Sequence, residues 1–215
     1  LRRVYRIGVE VCKGKVQVNS NQPEQHTARA TLEHALLAVE CGVDIVNIYG
    51  PSSSHGYRPK DAEYIAYHDT LLSAIKHPVA LAPNPVMGYT PKAEVVAQLC
   101  NKYHQVVAVN LASLRTSYFI ELKDRLKREV ALNVTLESTP VCLTLGAAGI
   151  IGGDFNVIPK TLRRYLDLCE QKKFDELGPA YAEVERFAKY IRDPRWYPAN
   201  PRGLKMAMKV LRLPG

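Results

Sequence analysis

Polar residues that could do chemistry follow several short apolar runs of the chain. Asn110 directly follows the run Val106–Val109 in the segment QVVAVNLAS, and Glu137 and Asp154 follow two later apolar runs. An amide can donate a hydrogen bond to a developing oxyanion, and two carboxylates in different environments can act as general acid and general base. We therefore predict a catalytic group centred on Asn110, with Glu137 and Asp154 as proton-transfer residues.

The loop GPSSSHGYRP supplies a further catalytic candidate, because His55 could act there as an acid or a base. The substrate-binding candidates at the predicted strand ends are Tyr49, Ser52, Ser53, Asn84, Ser113, Gly152 and Gly153. The two glycines would allow the backbone to approach a ligand or to turn tightly. The polar residue types also make turns and cap helices, so a structural role remains the alternative for each, as a solvated loop does for His55.

No metal or cofactor motif accompanies these residues. The chain lacks HExxH, Walker and GxSxG patterns, so neither a metal nor a cofactor is predicted. The five scattered cysteines are typical of reduced thiols in a cytoplasmic protein. The remaining histidines also lack ligand spacing and are predicted to be surface residues: His26, His34, His68, His77 and His104.

The net charge of +8 raises the question of a nucleic-acid partner. The basic residues are spread along the chain at helical spacing, and no nucleic-acid-binding motif accompanies them, so solvated helix faces are the preferred interpretation. No run approaches the roughly 18 apolar residues that cross a bilayer, so no membrane span is predicted. The chain opens at Leu1 without a signal-peptide pattern, and we expect a truncated, processed or partial product.

Six short segments with strand patterns alternate with helical patterns. The predicted strands are Lys15–Val18, Val43–Tyr49, Pro78–Ala82, Val106–Val109, Val130–Leu136 and Ala148–Ile151. A helix is expected after each strand, and the one after the third strand is capped by Thr90 with Pro91 at its first position. The repeated strand–helix order predicts an α/β fold with a parallel sheet.

The number of strand–helix units favours an incomplete barrel. A (β/α)8 TIM barrel usually needs about 250 residues. This chain fits such a barrel with its first two βα units missing and with a C-terminal helical extension. Residues 1–158 would form the partial barrel, and residues 159–215 the last barrel helix and the extension within the same domain. The alternative is an open doubly wound sheet, but no Gly-rich phosphate loop follows any strand.

Four phrases, in order, resemble the dihydrodipicolinate synthase / N-acetylneuraminate lyase family. HPVALAPNPVMGYTPKAEVVAQL resembles its strand-five region, and QVVAVNLAS resembles the strand-six phrase IVGIKDAS. LGAAGIIGGDFNVIPKTL is similar to LGADGVISVTANVAPREM, and NPRGLKMAMKVL to NPIPVKAALALL. The resemblance implies a TIM barrel, an aldolase-like lyase activity on pyruvate or another 2-oxo acid, and a homo-oligomer, either a dimer or a tetramer.

The sequence departs from this family at its catalytic positions. The strand-six lysine of the family forms a Schiff base with the 2-oxo acid, and Asn110 stands there in this chain. An amide cannot form an imine. The family's strand-five tyrosine corresponds to Ala82, and its arginine lies near Met87. The standard Schiff-base mechanism is therefore not expected.

Two functions remain open. The first, towards which the sequence leans, is a diverged lyase that binds a carboxylate-bearing metabolite and works without an imine. The second is a non-catalytic family member, either a metabolite sensor or a partner subunit. A nucleic-acid-binding role would rest on the charge alone.

Overall fold

The computed structural model describes residues 1–53, 56–191 and 200–214. Within them, six parallel strands form one sheet in chain order. The strands are β1 Asn19–Asn21, β2 Ile45–Tyr49, β3 Val79–Ala82, β4 Val106–Leu111, β5 Ala131–Val134 and β6 Gly149–Ile150. The predicted α/β class and the sequential parallel sheet are confirmed.

The α-helices of the described residues connect and follow these strands. They are α1 Arg2–Cys12, α2 Ala28–Glu40, α3 Asp61–Ala74, α4 Ala93–Lys102, α5 Thr116–Arg125, α6 Thr139–Thr144, α7 Pro159–Glu170, α8 Phe174–Ile191 and α9 Asn200–Val210. Short 3₁₀ turns lie at Pro85–Met87, Leu136–Ser138 and Gly153–Asn156. None of the described helices is long and apolar enough to cross a membrane.

The predicted position of the first strand and the predicted start of the fourth helix are wrong. The first strand is Asn19–Asn21 and not Lys15–Val18, because pairing with Ile45–Asn47 of β2 fixes its position in spite of the weak strand propensity of asparagine. The fourth helix begins at Ala93 and not at Pro91, since Lys92 keeps an extended backbone and its ammonium pairs with Asp61 at 2.5 Å.

The chain divides into two compact units, Leu1–Ile151 and Gly152–Gly215. The first unit contains the sheet and α1–α6, and the second contains the turn Gly153–Asn156 and α7–α9. In the second unit, Gly203 of α9 lies against the Ile191 carbonyl, where a Cβ would clash with the oxygen.

The hydrophobic core of the first unit lies on one face of the sheet. Val46 and Ile48 of β2 and Leu81 of β3 belong to this core. Sequential parallel strands are joined by right-handed crossovers, which place all the connecting helices on the same face. The core is therefore the layer between the sheet and its helices.

An irregularity in β4 determines the face on which Asn110 lies. The pairing register shifts by one residue between Val79 and Ala80 of β3, so that Val107 is an extra residue in β4. An extra residue reverses the alternation of side chains beyond it. As a result, Ala108 and Asn110 lie on the face opposite the helices.

Candidate functional site

The sheet face opposite the helices, which we call the inner face, carries mainly small or polar side chains. Its residues follow from the strand register and are Asn19, Asn21, Ile45, Asn47, Tyr49, Ala80, Ala82, Ala108, Asn110, Ala131, Asn133 and Gly149. None of these side chains carries a charge at neutral pH. Any ligand held against this face would therefore be held by hydrogen bonds.

Four asparagines of the inner face form a hydrogen-bonded row, which we call the asparagine ladder. Asn133 Nδ2 donates to Asn110 Oδ1 at 2.9 Å, and Asn110 Nδ2 donates to Asn47 Oδ1 at 3.0 Å. Asn47 Nδ2 then donates to Asn21 Oδ1 at 3.0 Å. The ladder joins β5, β4, β2 and β1, and all its bonds run in one direction.

The ladder skips β3 because that strand supplies only methyl groups. Ala80 and Ala82 are the inner-face residues of β3, and their small side chains allow Asn110 to reach Asn47. Asn47 and Asn110 are each only 6% exposed. Buried amides need hydrogen-bond partners, and the ladder supplies both a donor and an acceptor to each of these two.

Tyr49 extends the polar row at the end of β2. Burial raises the pKa of its hydroxyl, while hydrogen bonds with Asn21 and Asn47 oppose that shift. The phenol is therefore neutral at physiological pH and is available as a hydrogen-bonding group beside the ladder.

Three predicted residues lie in turns beyond the strands. Glu137 is exposed in the 3₁₀ turn that follows β5, and Ser113 is exposed beyond β4 with a left-handed φ of 59°. Asn84 Oδ1 accepts a hydrogen bond from the Val86 amide at 3.1 Å and so caps the turn Pro85–Met87. Capping is the structural alternative that the sequence left open for Asn84.

The loop after β2 is described only in part. The Ser52 amide donates to the Gln25 carbonyl at 3.0 Å. The Ser53 hydroxyl lies against Gly88, where a Cβ would clash with Oγ. His55, the predicted acid or base of this loop, lies outside the described residues.

The remaining predicted residues belong to the second unit. Asp154 is half-buried in the turn Gly153–Asn156, and its carbonyl accepts hydrogen bonds from the amides of Val157 and Ile158. Gly152 has an extended backbone, and a Cβ on Gly153 would come within 2.7 Å of Leu204. Packing thus accounts for a glycine at Gly153 without a ligand.

Three members of the ladder were not among the predicted site residues, namely Asn21, Asn47 and Asn133. Asn47 and Asn133 interrupt apolar strands, in IVNIY and ALNV, as Asn110 does in VVAVNL. A single amide repeated inside otherwise apolar strands is the signal that could have indicated a shared inner face. Asn21 lies in the strand NSN, which contains no apolar residue, so it carries no such signal.

The prediction that His68 lies on the surface is wrong. His68 is fully buried in α3, where its Nδ1 lies 2.9 Å from the Tyr64 carbonyl and its ring stacks on Tyr64 at 4.2 Å between centroids. Burial lowers the pKa of His68 to about 4. Tyr64, His68 and Leu71 have helical spacing on one buried face, so the periodicity of α3 contained this information.

A metal centre finds no support among the residues that the structure describes. No group of three or more histidine, cysteine, aspartate or glutamate side chains in those segments could hold an ion.

Comparison with known proteins places this architecture in a family. A sequence model described as the dihydrodipicolinate synthetase family matches residues 2–214. No curated protein gives a match.

Solved structures of dihydrodipicolinate synthases share the fold. The enzyme of Acinetobacter baumannii, complexed with pyruvate, superposes with a TM-score of 0.85 at 17% identity, over 100% of this chain and 71% of that chain. The Bacillus anthracis enzyme superposes with a TM-score of 0.84 at 18% identity, over 98% of this chain and 70% of that chain. The Cyanidioschyzon merolae enzyme with lysine bound superposes with a TM-score of 0.85 at 18% identity, over 98% of this chain and 70% of that chain.

These superpositions identify the six parallel strands as a half-barrel of the TIM-barrel type. The sequence match extends over nearly the whole chain and agrees with this fold. The chain belongs to the dihydrodipicolinate synthetase family.

Proposed function

We propose that this chain binds a small metabolite non-covalently on its inner face and forms no imine with it. The single observation that carries the proposal is the position of Asn110, whose amide is tied into the asparagine ladder on both sides. An imine needs an amine, and none of the inner-face residues of the six described strands is a lysine. A 2-oxo acid such as pyruvate is the first ligand to test, since the structure of the Acinetobacter baumannii enzyme is a complex with pyruvate.

The proposal is tested by trapping with pyruvate and borohydride, followed by measurement of the intact mass. We expect no mass increase for this chain and a stoichiometric increase for an active dihydrodipicolinate synthase treated in parallel. The variant Asn110→Lys is the matched gain-of-function control, and we expect a new adduct mapped to that position. A stoichiometric adduct of the unaltered chain on one lysine would overturn the proposal.

A diverged lyase is the second candidate, because family members are lyases and because ladder amides are hydrogen-bond donors of the kind that stabilise an oxyanion. In this mechanism Asn110 donates to the oxyanion, and Glu137, Asp154 or His55 transfers protons. Turnover of a 2-oxo acid aldol that disappears in Glu137→Gln, with ligand binding retained, would favour the lyase over a sensor or partner subunit.

We also propose that two further βα units adjoin β1 and complete an eight-stranded barrel. β1 is an edge strand of the sheet, and α1 exposes an apolar stripe formed by Val4, Ile7 and Val11, with the exposed Leu1 at its N-cap. Uncovered strand edges and exposed apolar surfaces both tend to associate with other chains. A soluble, cooperatively folding sample whose intact mass corresponds to Leu1–Gly215 alone would refute this proposal.

Assembly as a homodimer or homotetramer in the cytoplasm is proposed from the family resemblance. Sedimentation velocity at several protein concentrations tests the oligomeric state, and a monomer at every concentration would overturn it.

A further inference from the structure

We infer that the exposed side of α9 is a docking surface for an acidic amphipathic helix of a partner protein. This surface, which we call the α9 face, carries a row of basic side chains beside a row of apolar ones. Its members are Arg202, Lys205, Met206, Lys209, Val210, Arg212 and Leu213. The α9 face belongs to the second compact unit, so the inference does not depend on any ligand of the inner face.

The opposite side of α9 packs within the second unit. Gly203 lies against the Ile191 carbonyl at the end of α8, and Leu204 lies against Gly153 in the turn before α7. These contacts determine which side of the helix is covered by its own unit. The α9 face is the side that they leave open to solvent.

The apolar row is exposed and has the spacing of residues that meet a partner helix. Met206, Val210 and Leu213 are 45%, 81% and 39% exposed, and they follow one another at intervals of four and three residues. Leu213 lies just beyond the helix, and its amide donates to the Met208 carbonyl at 2.8 Å, which folds it back onto the last turn. Contiguous apolar side chains on a surface are typical of an interaction site.

The basic row runs beside the apolar row and lacks an acidic counterpart. Arg202, Lys205, Lys209 and Arg212 are all exposed, and residues 200–215 include no aspartate or glutamate. Within the described part of the chain none of the four forms an ion pair, whereas α2, α5 and α7 each hold opposite charges four residues apart. A helix C-terminus favours Lys209 and Arg212, but Arg202 lies in the first turn, where a cation is unfavourable.

A groove on the α9 face offers space for a partner. Its volume is about 570 Å³, and the residues that line it are Lys205, Met206, Lys209, Arg212 and Leu213. Three positive and two apolar side chains thus share one recess. An occupant that matches it has to present negative charge and apolar surface side by side.

This combination distinguishes between the classes of occupant. A second copy placed symmetrically would set one basic row against another, and like charges oppose such a pair. A nucleic acid would neutralise the basic row and leave the apolar row uncovered. A bilayer surface is planar, whereas the α9 face contains a groove. A helix with an apolar seam and glutamates beside it matches both rows.

The probe is a synthetic peptide of about 21 residues with leucine at heptad positions a and d and glutamate at e and g. Fluorescence anisotropy measures its binding to the full-length protein, and a scrambled peptide of the same composition is the control. We expect the heptad peptide to bind at least about tenfold more tightly than the scrambled one. Its binding should weaken about tenfold as salt rises from about 50 to about 500 mM.

Variants of the protein locate the site. Lys205→Glu/Lys209→Glu should weaken binding of the acidic peptide at least about tenfold and should create binding of a peptide with lysine in place of each glutamate. Lys160→Glu/Arg164→Glu is the matched control, because it reverses two exposed cations at the same spacing on α7. We expect the control to bind within about twofold of the unaltered protein. Val210→Ser, at an exposed position, should keep the fold and weaken binding.

Several results would overturn the inference. Equal binding of the heptad and scrambled peptides, or equal losses in the two charge-reversed variants, would reduce the effect to net charge. Tighter binding to vesicles of phosphatidylcholine and phosphatidylserine than to the peptide would assign the α9 face to a membrane. Acetylation of Lys205 and Lys209 that is much slower than that of Lys160 in the free full-length protein would show that the face is already covered.

Discussion

At the scale of single residues, an asparagine on the inner face has different requirements from a lysine. An ammonium group needs only acceptors, whereas an amide needs both a donor and an acceptor. Asn133 is the donor to Asn110, and Asn47 is its acceptor. Asn47 in turn donates to Asn21. The asparagine at this position is therefore part of a set of mutually dependent residues.

Replacement of Asn47 by leucine should destabilise the fold. The change leaves the buried Asn110 amide without its acceptor and Asn21 without its donor. An unsatisfied buried polar group costs about 1–3 kcal/mol, so we expect the free energy of unfolding in urea to fall by that amount. Asn21→Leu is the matched comparison, because it removes one ladder bond whereas Asn47→Leu removes two. Equal costs for both variants would contradict the contribution of the bond between Asn110 and Asn47.

His68 should make stability depend on pH in the acidic range. Its pKa is about 4 in the folded chain, below the ordinary 6.5, so the unfolded chain binds the proton first. The contribution of His68 to the free energy of unfolding is complete above pH 6.5 and is lost as the pH falls towards 4, with a total of up to about 3 kcal/mol.

The measurement is the free energy of unfolding between pH 4 and pH 7 for the unaltered chain and for His68→Phe. The variant keeps an aromatic ring against Tyr64 and removes the titrating group. We expect the variant to have the shallower pH dependence. The same slope for both proteins would exclude His68 as a source of the effect.

At the scale of elements, one arginine joins the end of α4 to the start of β4. Arg128 Nε donates to the Cys100 carbonyl at 2.8 Å, and its Nη2 donates to the carbonyls of Tyr103 and Val106. The guanidinium thus holds three backbone acceptors of the segment that leads into the strand of Asn110. Several donors in one rigid plane are a property of arginine and not of lysine.

Arg128→Lys should lower the free energy of unfolding by about 1.5–3 kcal/mol, because a single ammonium cannot reach all three carbonyls. Arg125→Lys is the control, since Arg125 makes an exposed ion pair with Glu121 that contributes little. Chemical denaturation of both variants measures the difference. A cost for Arg128→Lys as small as that for the control would contradict the bridging role.

The elements also show what the sequence could predict and what it could not. The core positions of β2 and β3 follow from apolar runs of strand length, and five of the six strands lie where they were expected. The side of the sheet occupied by Asn110 could not be predicted, because VVAV is apolar at every position and contains no alternation. The extra residue Val107, visible only in the pairing with β3, determines that side.

At the scale of the whole molecule, the net charge of +8 should produce only weak, salt-sensitive binding to polyanions. Distributed charges bind through counterion release, which falls steeply as salt is added. We expect retention on a DNA column at about 50 mM salt and complete release by about 300 mM. Retention that persists above this range on one DNA sequence alone would indicate a nucleic-acid site.

The order of the strands and helices was predictable, because strand–helix alternation specifies a parallel sheet. The division of the chain into two compact units after Ile151 was not predictable, since it reflects contacts between elements that no local pattern encodes. The ladder was predictable only at Asn110, because the partnership of Asn21, Asn47 and Asn133 depends on strand register.

The single direction of the ladder bonds has a consequence for the sheet as a unit. Rotation of one amide by a half-turn exchanges its N–H groups and its oxygen, and would then set two donors or two acceptors face to face with a neighbour. Only two arrangements satisfy the row, with all four amides pointing towards β1 or all four pointing towards β5. A ligand that reverses Asn133 would reverse Asn21 as well. The amides at the two ends of the row therefore always have the same orientation. A reversal at β5 is transmitted to β1 by side-chain rotation, without movement of the backbone.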